Sequence, residues 1–411
     1  MIERFISGNE CGIRTNVYVI SNDKNEGILV DTSYKFEPLF DEITKKYQIK
    51  AILLTHSHID HVDGLKLFRN TNIPVYMSKQ SKEALSDSRA SSYYIVGEDS
   101  PFKDNSLNIK VVEDNEILNL FGYDVKFLLT PGHTNGSMTF VIDELKSIFS
   151  GDTLFSGRHG MTTYYSGNHL DMLKSIEKIT SYPDDYLVYP GHEGVSYLKD
   201  LKYLNDLNIE LFQFGKNFRV DTNTYLVSNG KDAIVFDTSF EYEKAIKIIN
   251  KRYNLKAIFI THSHMDHIDG LKYFKGTDLP IYMSEETERQ IYDRTITSYY
   301  MINQDPPFKK GDLNIIHVKD NDVIDIIGKK VKVISTPGHQ KGATSYNISH
   351  ALFSGDTIFQ GRHAMTTYPT GDDNDMKETL KKLLSYPENY FIYPGHDEIV
   401  TVKDSLFLLE E

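Results

Sequence analysis

Histidine and aspartate residues are concentrated in two short segments that share one spacing. Thr55–Phe68 (THSHIDHVDGLKLF) contains the pattern H-x-H-x-D-H, and Thr261–Phe274 (THSHMDHIDGLKYF) repeats it at an offset of 206 residues. Imidazole and carboxylate groups without thiolates are ligands that suit Zn²⁺, iron or Mn²⁺. Both segments therefore predict metal sites.

Each segment is followed by the same three motifs, TPGH, SGDTxF and YPGH, which add a histidine, an aspartate and a final histidine. Each copy thus has seven candidate ligands, more than one tetrahedral zinc ion needs. The count predicts two metal ions per copy and four per chain. The candidate ligands are His56, His58, Asp60, His61, His133, Asp152 and His192, and then His262, His264, Asp266, His267, His339, Asp356 and His396.

Strands that alternate with helices are expected to position these ligands. Val17–Ser21 and Gly27–Thr32 are predicted to be neighbouring strands, and apolar residues recur at helical spacing from Phe36 to Tyr47. Loops at strand ends on a rigid scaffold are where chemistry usually lies. Four apolar runs lead directly into ligand motifs, at 51–54, 125–129, 147–149 and 186–189.

The repeat also predicts how the chain is divided. A length of 411 residues is too great for one compact core. The boundary is placed near Leu207, which gives domains 1–206 and 207–411. The offset between copies is 206 at TPGH but 204 at SGDTxF, so the second copy lacks two residues in between. This deletion fits a shortened hairpin.

Composition excludes several kinds of partner. With 58 acidic and 45 basic residues the formal net charge is −13, which would repel a nucleic acid backbone. No apolar run approaches the roughly 18 residues that span a bilayer, so no membrane partner is expected. The single cysteine, Cys11, cannot form an intrachain disulfide, and the N-terminal residues lack the features of a secretory signal. A cytoplasmic location is predicted.

Taken together, the motifs resemble those of the metallo-β-lactamase-fold hydrolases, most closely the glyoxalase II-like (hydroxyacylglutathione hydrolase-like) branch. The resemblance implies an α/β (α+β) fold of two tandem αββα sandwiches, with the metals in a cleft at one edge of the sheets. It implies one metal at His56, His58 and His133, another at Asp60, His61 and His192, and Asp152 as the bridge. In the second copy it implies His262, His264 and His339, then Asp266, His267 and His396, with Asp356 as the bridge.

The chemistry expected from such a site is hydrolysis. Zinc lowers the pKa of bound water to about 7, so a metal-bridging hydroxide would be available as a nucleophile at neutral pH. The predicted substrate is a thioester, ester, lactone or amide of a small metabolite, and the predicted catalytic residues are Asp60, Asp152, Asp266 and Asp356. The alternatives are a phosphodiesterase or nuclease-type metallohydrolase, an iron-dependent oxidoreductase of the persulfide dioxygenase type, and a metal-binding module without catalysis.

Departures from the family narrow the substrate. Each copy ends soon after YPGH, so the helical domain that contacts glutathione in glyoxalase II is not expected, and glutathione thioesters are disfavoured. Phe155 and Phe359 replace a tyrosine of the acyl-homoserine lactonases. Met161 and Met365 replace an arginine of the persulfide dioxygenases. Both of those activities are therefore disfavoured.

Residues shared by the two copies beyond the ligands are candidates for substrate binding. An arginine could hold a substrate carboxylate or phosphate, or it could tie down its own loop; a histidine could act as acid or base. Tyrosines could form a wall of the cleft or pack in the core. The candidates are Arg158, His159, Tyr164 and Tyr93, with Arg362, His363, Tyr368 and Tyr299 in the second copy.

Several further residues lead to separate expectations. Asp31 and Asp237 are candidates either to hold a ligand histidine or to cap a strand end. His169 has no counterpart in the other copy and is expected to be exposed.

The two copies also raise questions about their joint action. Thr134 beside one ligand becomes Gln340 in the second copy, so the two sites need not share a substrate. The halves could form an intrachain pseudo-dimer in which each covers the other's cleft.

Overall fold

The computed structural model describes residues 1–7, 14–214 and 221–410. It divides into two compact units, Met1–Asn205 and Asp206–Glu411. The division lies one residue before the boundary expected from the repeat. Cys11 lies outside the described residues.

The first sheet of unit one has six strands in chain order. Its first three strands are antiparallel, and from the third strand onward the neighbours are parallel. The strands are β1 (Ile2–Ser7), β2 (Thr15–Ser21), β3 (Glu26–Val30), β4 (Gln48–Leu53), β5 (Pro74–Met77) and β6 (Asn108–Val111).

The second sheet of unit one is mainly antiparallel, with one parallel pair formed by its fourth and fifth strands in the chain. Its strands are β7 (Ile117–Leu120), β8 (Tyr123–Leu129), β9 (Met138–Ile142), β10 (Ser147–Gly151), β11 (Leu187–Pro190) and β12 (Ser196–Tyr197).

Helices cover the outer faces of the two sheets. The helix predicted near Phe36 is present, with Pro38 at its start and lysines in its last turn, both favourable positions. Asn168 caps another helix by accepting hydrogen bonds from two backbone N–H groups. The helices are α1 (Glu37–Lys46), α2 (Ile59–Val62), α3 (Lys79–Leu85), α4 (His169–Thr180) and α5 (Leu198–Leu201), with 3₁₀ turns at Asp63–Phe68, Tyr93–Val96, Asp143–Leu145 and Lys202–Asn205.

Strand β2 shows how the layers form. Its side chains alternate between faces, as the period of a strand requires. Val17 and Val19 pack in the core under the helices, whereas Tyr18 and Ile20 pack between the two sheets. The predicted αββα sandwich is therefore confirmed.

Unit two repeats this arrangement, and the antiparallel bridge between Leu154 and His159 of unit one is there the short hairpin β23–β24. Its strands are β13 (Asn208–Phe214), β14 (Thr222–Ser228), β15 (Asp232–Phe236), β16 (Asn254–Phe259), β17 (Ile281–Ser284), β18 (Ile315–Val318), β19 (Val323–Ile326), β20 (Lys329–Ser335), β21 (Thr344–Ile348), β22 (Ala351–Gly355), β23 (Ile358–Phe359), β24 (Arg362–His363), β25 (Phe391–Pro394) and β26 (Val400–Thr401). Its helices are α6 (Glu243–Arg252), α7 (Met265–Ile268), α8 (Glu285–Gln290), α9 (Asp373–Leu383) and α10 (Val402–Ser405), with 3₁₀ turns at Asp269–Phe274, Tyr299–Ile302 and Leu406–Leu409.

The two-residue deletion lies where the offset indicated. Residues 143–146 connect β9 to β10, whereas residues 349–350 alone connect β21 to β22. The prediction of a shortened hairpin is confirmed. Throughout the described ranges, the helices are too short or too polar to cross a membrane.

Candidate metal centre

Three histidines form the first group of candidate ligands in unit one. His56 and His58 follow the end of β4, and His133 follows the end of β8. All three are buried, and their ligand atoms lie within 4.8 Å of one another. His58 Nδ1 is 2.8 Å from His133 Nε2.

The second group lies beside the first. Asp60 and His61 belong to the short helix α2, and His192 follows β11. The Oδ2 atom of Asp60 is 3.5 Å from His61 Nε2 and 3.3 Å from His192 Nε2. These three residues also place their ligand atoms within 4.8 Å of one another.

Asp152 contacts both groups. Its Oδ2 atom is 3.4 Å from His133 Nε2 and 3.2 Å from His192 Nε2, and its Oδ1 atom is 3.3 Å from His61 Nε2. One carboxylate at the end of β10 thus joins the two sets of imidazoles.

Unit two brings its seven candidates together in the same way. His264 Nδ1 is 2.9 Å from His339 Nε2 and 3.2 Å from His262 Nε2. The remaining distances fall in the same range, with His396 Nε2 3.3 Å from Asp266 Oδ2, His396 Nε2 3.4 Å from Asp356 Oδ2 and His267 Nε2 3.2 Å from Asp356 Oδ1.

A buried aspartate orients one histidine of the second group. Asp31 Oδ2 is 2.9 Å from His61 Nδ1 and also accepts the hydroxyl hydrogen bond of Thr55. Asp237 and His267 repeat the contact at 2.8 Å. Asp31 therefore fixes the ring so that Nε2 points to the centre, a role that sequence reasoning left open between two alternatives.

Backbone carbonyls orient two further histidines. His133 Nδ1 donates to the carbonyl oxygen of Met161 at 2.7 Å, and His192 Nδ1 donates to that of Arg14 at 2.6 Å. In each case the other ring nitrogen, Nε2, points toward the centre.

Several polar atoms of the clustered ligands are buried without a hydrogen-bond partner among the described residues. Within the part of the chain that the structure describes, Nε2 of His56, Nε2 of His61 and Oδ1 of Asp152 are buried without a hydrogen-bond partner, as is Oδ1 of Asp356. Buried polar atoms normally have partners. Because these atoms all belong to the clustered ligands and are nitrogen or oxygen donors, the residues fit metal ions such as zinc.

The two groups differ in their electrostatics. Burial lowers the pKa of His58 and of His264 to about 3, so these rings are neutral donors. Burial also lowers the pKa of His192, but the carboxylates of Asp152 and Asp60 outweigh this effect and raise it to about 10. Negative charge is therefore concentrated around the second group.

Two glycines allow the backbone to approach the centre. Gly151, at the end of β10, has φ +50°, and a Cβ there would lie 2.5 Å from Thr55 Cβ. A Cβ on Gly191 would collide with Asp152 Oδ1 and would lie 2.7 Å from His61 Cε1. The glycines of SGD and PGH are thus required by close approach.

Of the two alternatives left open for Tyr93 and Tyr299, a cleft wall or core packing, the structure shows core packing. Tyr93 is 1% exposed and donates its hydroxyl hydrogen bond to Asp63 Oδ1 at 3.0 Å. Tyr299 makes the same bond to Asp269 at 3.0 Å. Both tyrosines are core residues, and each hydroxyl group donates its hydrogen bond to a buried carboxylate. The neighbouring Tyr94 is 56% exposed instead.

Tyr164 and Tyr368 lie against the first group. The ring of Tyr164 makes an edge contact with His58 at a centroid distance of 4.9 Å, and Tyr368 makes one with His264 at 5.1 Å. Burial, together with the negative charges of Asp60 and Asp152, raises the pKa of Tyr164 to about 12.

Arg158 and Arg362 have partners within their own units. Arg158 pairs with Glu193 at 2.7 Å, and Arg362 pairs with Asp397 at 2.8 Å. These contacts match the alternative that the arginines tie down their loops; substrate binding by either one stays a prediction.

His159 and His363 make equivalent local contacts. The Nδ1 atom of each donates to the carbonyl oxygen of the next residue at 2.7 Å. A role of either ring as acid or base stays a prediction. His169, expected to be exposed, is buried and lies 5.7 Å from His159 between ring centroids, so that expectation was wrong.

Sequence reasoning missed an anchor for the final histidine loop. The side-chain amide of Asn16 donates to the carbonyl oxygens of Pro190 and Glu193, each at 2.9 Å, and the Tyr18 hydroxyl donates to Pro190 at 2.7 Å. The same bonds recur in unit two from Asn223 and Tyr225. The repeated pattern N-x-Y was the available signal.

Comparisons with known proteins agree with this geometry. A family model described as "Metallo-beta-lactamase superfamily" matches residues 12–192 and 218–396. The chain is 34% identical over 175 residues to the "Hydroxyacylglutathione hydrolase" of Prochlorococcus marinus (strain MIT 9312), which covers 42% of this chain and 62% of that protein. The chain therefore spans less than two thirds of that relative's length.

Two further similar proteins are covered over more of their own length. The chain is 30% identical over 219 residues to the "Probable polyketide biosynthesis zinc-dependent hydrolase PksB" of Bacillus subtilis (strain 168), covering 52% of this chain and 86% of that protein. The crystal structure of the BLEG-1 B3 metallo-beta-lactamase is 27% identical, with a TM-score of 0.45, and covers 50% of this chain and 97% of that one.

Proposed function

Since the chain belongs to the metallo-beta-lactamase superfamily, we propose that each unit is a metal-dependent hydrolase of a small metabolite. The bond cleaved is a thioester, ester, lactone or amide. One observation carries the proposal: a single buried carboxylate, Asp152 or Asp356, contacts both groups of clustered ligands in its unit. A second site could use the same substrate because the ligand set is repeated in full.

The proposed metal is zinc, with two ions per unit and four per chain. His56, His58 and His133 would hold one ion of unit one, and Asp60, His61 and His192 the other, with Asp152 between them. Nitrogen and oxygen donors of this kind suit zinc, and a similar protein is named as a zinc-dependent hydrolase. Iron or manganese would fit the same donors.

When bound, the metal ions supply a water whose pKa is lowered to about 7 and polarise the substrate oxygen. Asp60 lies on the more open side of the site, with 16% of its side chain exposed, and it is kept ionised because His61 and His192 lower its pKa despite burial. Its carboxylate would accept a hydrogen bond from the attacking water and orient it. Asp266 would do the same in unit two.

Tyr164 is the proposed donor toward the substrate. With a pKa of about 12 its hydroxyl is protonated at neutral pH. Beside His58, it could donate a hydrogen bond to the oxygen on which negative charge develops. Tyr368 has the matching position in unit two.

Hydrolysis by the zinc-loaded full chain is the experiment that tests the proposal. The panel contains chromogenic thioester, lactone, amide and phosphodiester substrates, and metal content is measured on the same sample. The matched control is the double variant Asp152→Ala/Asp356→Ala, whose folding is checked by circular dichroism. We expect turnover of an acyl substrate by the wild type and none by the control.

Other results would replace the proposal. Equal rates for the wild type and the double variant would contradict metal-dependent hydrolysis. Preference for the phosphodiester would instead support a phosphodiesterase. Activity found only with iron and oxygen would support the oxidoreductase alternative.

A further inference from the structure

We propose that an arginine and a phenylalanine in each unit position the last histidine of the second ligand group. The arginine clamp, as we name it, consists of Arg158, Phe155 and Glu193 in unit one. In unit two it consists of Arg362, Phe359 and Asp397. The proposal rests on the metal site of the proposed function but not on the reaction catalysed there.

His192 needs a contact that sets the plane of its ring. Its Nδ1 atom is held by the Arg14 carbonyl, and its Nε2 atom is 3.2 Å from Asp152 Oδ2. These two contacts leave rotation about the line that joins them. Two rings packed edge-on against the imidazole limit that rotation: His61, at a centroid distance of 5.3 Å, and Phe155, at 5.6 Å and an angle of 72°.

Arg158 in turn holds Phe155. The guanidinium carbon lies 4.6 Å from the centre of the Phe155 ring, a distance at which a cation is attracted to an aromatic face. The backbone N–H of Phe155 donates to the carbonyl of Arg158 at 2.7 Å, which closes the turn between them. The phenylalanine is therefore fixed between the guanidinium and His192.

The clamp closes on the residue next to the ligand. Nε and Nη2 of Arg158 both bond to Oε1 of Glu193, at 2.8 and 2.7 Å. Glu193 has φ +67°, a left-handed conformation that is uncommon for a residue with a side chain. The carbonyl oxygen of Glu193 also accepts a hydrogen bond from the side-chain amide of Asn16. Side-chain and backbone contacts therefore both hold the residue directly after His192.

Unit two contains the same clamp in a weaker form. Arg362 lies 4.4 Å from the Phe359 ring, which packs against His396 at 5.7 Å and 66°. Asp397 has a shorter side chain than Glu193 and is bound by Nη2 alone, at 2.8 Å. Its conformation is again left-handed, with φ +66°.

Exposure separates the two clamps further. The side chains of the Arg158 pair are 14% and 6% exposed, whereas those of the Arg362 pair are 54% and 39% exposed. Exposed ion pairs are screened by water and contribute little. We therefore expect the clamp of unit one to have the larger effect on its metal ion.

The test is a zinc competition assay on the zinc-loaded full chain with a chromogenic chelator. Because residues that orient a metal ligand typically change affinity tenfold to a hundredfold, we expect Arg158→Met to weaken one of four zinc ions by about that factor. Arg158→Lys can keep the ion pair with Glu193 but not the contact of the planar guanidinium with the Phe155 ring, so its zinc affinity should be intermediate. Arg362→Met should weaken one ion by less than about tenfold.

The matched control is Arg69→Met. Arg69 lies 5.5 Å from the ring of Phe102 and bonds to the Pro101 carbonyl, and neither of those residues is a candidate ligand. We expect this variant to lose thermal stability without any change in zinc affinity. If Arg158→Met does not fold, Glu193→Gln removes the ion pair with almost no change in shape and should weaken the same zinc ion.

Two results would overturn the clamp. The first is that Arg158→Met and Glu193→Gln keep all four zinc affinities within twofold of the wild type. The second is that Arg69→Met weakens zinc as much as Arg158→Met does. A wild type that binds four zinc ions but hydrolyses nothing would contradict the proposed function and leave the clamp assay valid.

Discussion

The two units present identical ligand sets but support them differently. Around the last histidine, unit one uses the buried pair of Arg158 and Glu193, and unit two uses an exposed pair of arginine and aspartate. Near the first two histidines, unit two is the more firmly held unit, because a buried side chain there forms hydrogen bonds that its counterpart in unit one does not form. The comparison separates what the centre requires, its ligands, from what can vary, the contacts that hold them.

Among the residues that the structure describes, Gln340 makes a tie in unit two that its counterpart in unit one does not make. Its Oε1 atom accepts hydrogen bonds from the backbone N–H and the hydroxyl of Ser263, at 2.9 and 2.7 Å, and its Nε2 atom donates to the Ile296 carbonyl at 3.1 Å. Thr134, in the same position of unit one, bonds locally to Ser137. The exchange between copies therefore changes a buried link between loops, and the idea that it alters substrate choice gains no support from this position.

Removal of a ligand from one unit at a time should have the largest effect. If the identical ligand sets act on a shared substrate, His58→Ala and His264→Ala should each leave about half of the wild-type rate at saturating substrate. The double variant should fall to the rate of the metal-free protein. Steady-state hydrolysis measures all three.

His317→Ala is the control for these variants, because His317 is an exposed histidine that pairs with Glu288 and is not a candidate ligand. It should leave the rate unchanged. If one single variant lost nearly all activity and the other kept the full wild-type rate, the two units would differ in substrate.

The hydrogen bonds of Gln340 should contribute measurably to the stability of unit two. Gln340→Ala removes the partner of the Ser263 backbone N–H and of the Ile296 carbonyl, whereas the Ser263 hydroxyl can still donate to Gln290 Oε1 at 3.2 Å. We therefore expect a loss of about 2–3 kcal/mol in unit two. Thr134→Ala should reduce the stability of unit one by only about 1 kcal/mol, since its bonds are local. Hydrogen exchange followed by mass spectrometry reads each unit separately. Equal losses in both units would show that the tie is not the difference between them.

The core tyrosines should respond equally in the two units. Tyr93→Phe and Tyr299→Phe each remove a hydrogen bond to a buried carboxylate, so each should destabilise its own unit by about 2 kcal/mol. The KM should not change, because neither side chain reaches the cleft. Tyr94→Phe, at the exposed neighbouring position, is the control and should leave stability unchanged. A higher KM in Tyr93→Phe would support the other alternative, that this tyrosine lines the cleft.

Contacts that depend on local pattern could be predicted from the sequence. The ligands follow strand ends, and the two-residue deletion lies in one hairpin, because spacing along the chain determines both. The choice between Tyr93 and Tyr94 could not be made in this way. Adjacent residues of a 3₁₀ turn point in different directions, and only the position of Asp63 decides which hydroxyl is buried.

Contacts between distant parts of the chain could not be predicted from the sequence. Anion binding and a loop tie stayed open for Arg158 because nothing in its own segment shows that Glu193, 35 residues later, pairs with it. Likewise, His169 was expected to be exposed because the other copy has no counterpart, and its burial beside His159 depends on how the chain folds there. Side chains with several possible partners are assigned only when the fold brings one of them close.

The smallest effect is expected where the two cores differ by one oxygen atom. Tyr242 in unit two occupies the position of Phe36 in unit one, and each packs over a glycine that leaves no space for a side chain, Gly270 and Gly64. Among the described residues the buried Tyr242 hydroxyl has no hydrogen-bond partner, and burial raises its pKa. An unpaired buried hydroxyl is unfavourable, so Tyr242→Phe should stabilise unit two by about 1 kcal/mol, and Phe36→Tyr should destabilise unit one by a similar amount. Hydrogen exchange of each unit measures both changes. Destabilisation by Tyr242→Phe would mean that the hydroxyl is satisfied by a buried water, and the two cores would then differ in hydration as well as in composition.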